Sequence, residues 1–144
     1  MPEYPRLLHT VLDTTEVRAL AEFYRELLGL RYRPGDEPPS DGSPDDADWL
    51  VLTEADGSRR LAFQQVDAPA RPTWPSPEVP MQLHVDFTVE SLEELHRHRA
   101  RAEELGAVVL LDRTGDSHEP LFVLADPSGH PFCLFVAAGP PATP

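Results

Sequence analysis

The sequence predicts an α+β fold made of two βαβββ modules, their strands forming a curved mixed sheet around a central cleft. Three observations predict it. A strand-like segment, Leu8-His9-Thr10-Val11-Leu12, recurs as Leu83-His84-Val85-Asp86-Phe87, with the histidine at the same place in each. Each is followed by an amphipathic helix, the first ending in Leu27-Leu28-Gly29 and the second in Leu105-Gly106, so the two glycines repeat at nearly the same offset as the two histidines. Each half then continues in strand-like runs around a turn, Glu54-Ala55-Asp56-Gly57 in the first and Asp126-Pro127-Ser128-Gly129 in the second. A repeat of this length is one supersecondary unit used twice. Two such units face to face would enclose a cleft, each giving it one histidine.

The elements follow in order. Leu7 to Leu12 reads as a strand. Asp13, with Glu16 three residues on, is placed to cap the helix after it as a capping box. Leu20, Phe23, Tyr24, Leu27 and Leu28 recur at helical spacing as one apolar face, and Gly29 is the expected stop. Leu30 to Arg33 begins a strand. Residues 34–48 are rich in Pro, Gly and Asp, lack apolar periodicity and read as a mobile, solvated insertion rather than a lid. Trp49 to Thr53 and Arg60 to Val66 read as a hairpin about Asp56-Gly57. Five prolines between Asp67 and Pro80 predict a stiff extended connection, with Trp74 as its anchor. Met81 to Val89 repeats the first strand. Ser91 and Glu94 make a second capping box, Leu92, Leu95, Ala102 and Leu105 the buried face of the second helix. Val108 to Leu111, Leu121 to Ala125 and Pro131 to Val136 are strands. The first module thus spans 1–66, the connector 67–80, the second module 81–138 and a disordered tail 139–144.

Composition bounds the function. At 144 residues the chain suits one compact domain of two halves. The 40% hydrophobic and 26% charged shares are ordinary for a globular protein. A formal net charge of −13 argues against nucleic acid, which needs clustered cations, and against anionic membranes. All 12 basic residues are Arg and none is Lys, which excludes a lysine Schiff base and pyridoxal phosphate anchored through one. The single cysteine, Cys133, permits no internal disulfide. No basic segment followed by an apolar run opens the chain, and no stretch approaches the roughly 20 apolar residues of a membrane helix, so a cytoplasmic location is expected. Neither a phosphate-binding glycine loop nor a nucleophile-elbow serine is present.

Strand alternation sorts the histidines' neighbours. If His84 faces the cleft, so do Asp86 and Thr88, while Leu83, Val85 and Phe87 face the helix. If His9 does, so does Val11. The cleft is then lined by His9, Ala62, Gln64, His84, Asp86, Cys133 and Phe135. His84 and Asp86, at i and i+2, form a metal-free acid/base pair in which the carboxylate orients the imidazole. Cys133 lies in an apolar run, where a thiol is usually inert packing. His96 and His98, among Arg97, Arg99 and Arg101, read as a solvated helix face; His130 closes the late turn and His118 lies in the 114–120 loop.

The pattern resembles the vicinal oxygen chelate superfamily, which includes glyoxalase I, extradiol dioxygenases and the fosfomycin and bleomycin resistance proteins. The residues carrying the resemblance are His9-Thr10-Val11-Leu12-Asp13, Phe23-Tyr24 and Leu27-Leu28-Gly29 in the first half. In the second they are His84-Val85-Asp86-Phe87, Leu105-Gly106-Ala107 and the run from Asp126 to Leu134. The resemblance implies a soluble homodimer acting on a small molecule. In metal-using members it also implies a divalent ion (Zn, Fe, Mn, Ni or Co) held by a residue on the first strand and a carboxylate on the last strand of each repeat. Here His9 and His84 fill the first-strand positions. The last-strand positions hold Ala62, with Gln64 two residues on, and Cys133, so the usual chelating set is half missing. Two readings follow. One is a glyoxalase/bleomycin-resistance-like protein that binds a small organic molecule in the cleft, without the usual metal site. The other is a metal-dependent lyase, isomerase or dioxygenase acting on neighbouring oxygens, with His9 and His84 as ligands.

Overall fold

The computed structural model describes residues 3–137; the expected 139–144 tail lies outside them. The chain divides into two compact units, Met1–Pro69 and Ala70–Pro144. In the first, β1 (Thr10–Thr14), α1 (Val17–Leu28), β2 (Arg31–Tyr32), β3 (Trp49–Thr53) and β4 (Arg59–Gln65) follow one another. In the second, β5 (Val85–Val89), α2 (Leu92–Glu104), β6 (Val108–Arg113), β7 (Leu121–Ala125) and β8 (Pro131–Val136) repeat the order. The start of β5 follows that of β1 at the same offset at which α2 follows α1. The fold is therefore α+β, two βαβββ modules.

Each module forms a four-stranded mixed sheet, ordered β1-β4-β3-β2 and β5-β8-β7-β6. The first and last strands pair in parallel, β1 with β4 and β5 with β8, and the remaining pairs are antiparallel. A parallel pair needs a long crossover, which the helix and the intervening strands supply. No described helix is long and apolar enough to cross a membrane.

In the first module the row Leu12–Phe63–Leu50 lies across three strands and is closed from solvent. Helix α1 buries Val17, Leu20, Ala21, Phe23, Tyr24 and Leu27. Tyr24 stacks on Phe63 with ring centroids 5.9 Å apart, and Phe23 meets Tyr24 edge-on at 4.9 Å. Each such side chain contributes about 1.5–3 kcal/mol through burial. In the second module Phe122, Leu124, Phe132 and Leu134 are buried, with Leu95 and Ala102 from α2. That helix is poorer in apolar residues, and its polar side chains complete the cover: His96 meets Phe122 edge-on at 5.7 Å, and the Arg99 guanidinium lies 5.6 Å from the same ring. Leu92, expected in the buried face, is exposed in the first turn of α2.

Four local expectations are corrected. Strand β1 begins at Thr10, where pairing with Leu61 starts, and β5 begins at Val85, so Leu7, Leu8 and Leu83 stand exposed ahead of the ladders. Asp13 is a strand residue and not a helix cap; the Glu16 N–H instead meets Thr14 Oγ1 at 2.9 Å. The 34–48 segment is fastened: Arg18 donates to both Asp45 oxygens and to the Asp36 carbonyl, while Asp36 Oδ2 accepts the Val51 N–H at 2.9 Å. Finally, the proline-rich connector is not extended throughout, because Thr73 closes a turn with Val79, its N–H meeting the Val79 carbonyl and its hydroxyl the Val79 N–H. The Ser91 cap of α2 is present, Ser91 Oγ accepting the Glu94 N–H at 3.1 Å.

Candidate functional site

Helices cover one face of each sheet. The other face carries the candidate site, and strand register places its residues. In the second module His84 immediately precedes β5 and Asp86 lies two residues on, so their side chains share a face. Asp86 is the register partner of Cys133 on β8, and Cys133 that of Val123 on β7. His84 Nε2 lies 3.2 Å from Asp86 Oδ1, and both side chains are substantially exposed. One donor atom from each of His84, Asp86 and Cys133 lies within 4.8 Å of the other two. Burial pushes the Cys133 thiol up to about 11, with the Asp86 carboxylate and then Glu119 adding to the effect. As an unaided nucleophile Cys133 is therefore poorly ionised at neutral pH. Phe135 is half-buried two residues further along β8, opposite Thr88.

In the first module the corresponding face carries the row Val11–Ala62–Val51 and, one step along, Asp13–Gln64–Trp49. Ala62 has no exposed surface; Gln64 is exposed. His9, half-buried ahead of β1, has its ring centroid 6.1 Å from that of Trp49. Its Nδ1 is closed from solvent and has no hydrogen-bond partner. Burial holds His9 below its ordinary 6.5, and the positive charges of Arg59 and Arg33 lower it further. The ring is therefore neutral at pH 7, with one nitrogen available as an acceptor.

In the second module His84, Asp86 and Cys133 converge; in the first, His9 lies beside Trp49, with Arg33 and Arg59 acting on it. Trp49, Arg33 and Arg59 were legible only in part. Trp49 opens a predicted strand, and alternation along β3 would have placed it with Val51, but nothing in the spacing brings Arg33 or Arg59 to His9. The late Asp-Pro-Ser-Gly turn is structural. Asp126, closed from solvent, accepts the Ser128 and His130 N–H groups at 2.9 and 3.0 Å.

Metal fit follows from donor chemistry. Imidazole, carboxylate and thiolate are all ligands for zinc-like ions, and donors around tetrahedral zinc lie about 3.5 Å apart. Three partly exposed side chains within 4.8 Å reach that spacing through small rotations. The trio fits an ion; at His9 the positive charge of two arginines disfavours one.

Comparison with known proteins agrees with this architecture. Residues 9–135 match the family described as Glyoxalase-like domain. A glyoxalase/bleomycin resistance protein/dioxygenase family enzyme from Burkholderia phytofirmans PsJN superposes with a TM-score of 0.65 at 15% identity, over 90% of this chain and 97% of that one. A possible glyoxalase from Bacillus cereus gives 0.61 at 20% identity, over 90% and 96%. A mutant of the fosfomycin resistance protein FosX from Listeria monocytogenes, complexed with Mn(II) and 1S,2S-dihydroxypropylphosphonic acid, gives 0.67 at 17% identity, over 94% of each chain. At these identities the likeness is one of fold. No curated protein matches the sequence.

Proposed function

From the premise that this chain belongs to the glyoxalase-like domain family, we propose that it binds a small organic molecule on the sheet face of the first module at His9, with His84 and Asp86 on the corresponding face of the second module. The observation that carries this reading is His9, a half-buried ring 6.1 Å from the Trp49 indole, with the positive charges of Arg59 and Arg33 acting on it. A small molecule lying against the Trp49 indole and the His9 ring covers both, and the positive charges of Arg59 and Arg33 that act on His9 favour a ligand carrying negative charge.

Trp49 supplies the test. Its fluorescence is titrated with α-hydroxyketones, catechols, diol phosphonates and bleomycin-type glycopeptides. A saturable change from at least one class, absent in Trp49→Phe and weakened in His9→Ala, supports the reading. No saturable change from any of them, with calorimetry also silent, overturns it. The family resemblance also implies a homodimer, which sedimentation equilibrium tests directly.

A second reading is metal-dependent lyase, isomerase or dioxygenase chemistry on a substrate with two neighbouring oxygens. It is favoured by a different observation, the convergence of His84, Asp86 and Cys133. A divalent ion held there would supply Lewis-acid polarisation of the substrate oxygens. Without an ion, Asp86 orients the His84 imidazole.

A further inference from the structure

We propose that the second module alone holds a zinc-type ion through His84, Asp86 and Cys133, and that His9 is not among its ligands. This rests on the metal reading for what the ion does, but not for whether it is bound or by what.

Geometry selects the three donors. His84 and Asp86 share a face at i and i+2, and Asp86 faces Cys133 across a parallel pair whose strands lie about 4.8 Å apart. Two adjacent strands of one sheet therefore bring a nitrogen, an oxygen and a sulfur donor within 4.8 Å of one another, with no contribution from any other element. The Asp86 carboxylate, 3.2 Å from the imidazole, orients it in the free protein and becomes a ligand once an ion displaces the contact.

Charge separates this trio from His9. Asp86 and Glu119 both act on Cys133 with negative charge, a field that draws in a cation. Arg59 and Arg33 act on His9 with positive charge, a field that repels one. The symmetry of the repeat places His9 and His84 at equivalent positions, but their surroundings have opposite sign. His9 is thereby left to an organic ligand.

Donor type selects the ion. Carboxylate and water suit Mg and Mn, whereas imidazole with thiolate suits Zn and its spectroscopic substitute Co(II). Three protein donors with a position left for a further ligand is the usual form of an open zinc site. A sulfur donor here thus changes the metal preference relative to the nitrogen and carboxylate set that the resemblance implies.

Metal-free full-length protein is titrated with Co(II) and followed by absorption, then with Zn(II) against a chromophoric chelator, and with Mn(II) by electron paramagnetic resonance. The proposal expects one Co(II) per chain with a thiolate-to-cobalt charge-transfer band in the near ultraviolet, displaced by Zn(II), and with Mn(II) much weaker. Cys133→Ser abolishes the band. Asp86→Asn and His84→Ala each lower affinity by more than the roughly 10–100-fold that loss of an outer-shell partner costs. His9→Ala leaves affinity within twofold of the parent, about 0.4 kcal/mol. Circular dichroism of each variant shows whether it is folded, and the His9→Ala arm stays decisive even if a trio variant is not. One ion bound without the sulfur band, or lost in His9→Ala, overturns the proposal while the metal reading stands. No ion bound under any condition overturns both.

Discussion

The side-chain oxygen of Gln65 accepts the backbone N–H of Val17 at 3.0 Å, a contact between residues far apart in the chain. Its amide nitrogen donates to the Thr15 carbonyl. Strand β4 thus caps α1 from outside the helix, a service that Glu16 at the N-cap position does not perform. Replacing a cap by Ala costs about 0.5–2 kcal/mol. Gln65→Ala should lower unfolding stability by about 1 kcal/mol, measured by urea denaturation. Gln64→Ala, exposed on the opposite face of the same strand, should leave the midpoint unchanged.

That pair shows what the sequence could and could not reveal. Period-two alternation puts Gln64 and Asp13 on one face and Gln65 towards the helix. A local capping box was the nearer pattern for Asp13, yet the cap came from the last strand of the module, and spacing carries no information about such a partner. The second helix kept its cap because Ser91 and Glu94 are local to each other. For the same reason the repeat, the hairpins and the helix stops were legible. So was the shared face of His84 and Asp86. The arginines that act on His9 were not, because only the folded chain brings positions 33 and 59 within electrostatic reach of position 9.

Gly129 has φ +93°, and a Cβ there would lie 2.6 Å from Arg71 Cγ. Arg71 also donates to the Pro127 carbonyl at 3.2 Å, holding it over the turn. Gly129→Ala therefore combines backbone strain, roughly 1–2 kcal/mol for a left-handed non-glycine residue, with a steric clash. It should destabilise more than Arg71→Ala does. Adding Arg71→Ala to Gly129→Ala should recover only the clash. A double-mutant cycle in urea separates the two parts.

The Glu22 carboxyl is held below its ordinary 4.5 first by the Arg25 guanidinium, and also by the Tyr32 hydroxyl, which donates to it at 2.8 Å. A depressed carboxyl pKa stabilises the fold fully above the unfolded value, and the contribution is lost as pH falls through the folded one. Parent and Glu22→Gln stability curves should therefore be separated at neutral pH and converge below 4.5. Chemical denaturation at stepped pH measures this. A separation that persists unchanged into strong acid would contradict it. The gap should be small, since the side chains of Glu22 and Arg25 are each 35% exposed.

Arg18 joins three parts of the first module: it donates to Asp45 and to the Asp36 carbonyl, and its guanidinium lies 4.9 Å from the Tyr32 ring. The partners are partly exposed, so global stability should change by no more than about 1 kcal/mol in Arg18→Ala. The local effect should be larger. Hydrogen exchange across residues 34–48 should accelerate in the variant, with the β3 and β4 amides unaffected. Equal exchange in both proteins would mean that the segment is held by Asp36 alone.

Ala62 occupies the position where the resemblance implies a carboxylate ligand, and Ala62→Glu is the obvious attempt to restore one. The register argues against it. Ala62 lies between Val11 and Val51 on neighbouring strands, and its side chain has no exposed surface. A glutamate there adds volume to a packed row and brings a charge among apolar neighbours. An uncompensated buried charge costs about 3–5 kcal/mol. Ala62→Glu should therefore lower the urea midpoint sharply, with no gain in metal affinity. Cys133→Glu, on the half-buried strand position beside Asp86, should fold and move metal preference from Zn(II) towards Mn(II). If Ala62→Glu instead folds with parent stability and binds an ion together with His9, the two modules are equivalent as metal hosts, and the opposite charge environments of His9 and His84 do not decide where an ion goes.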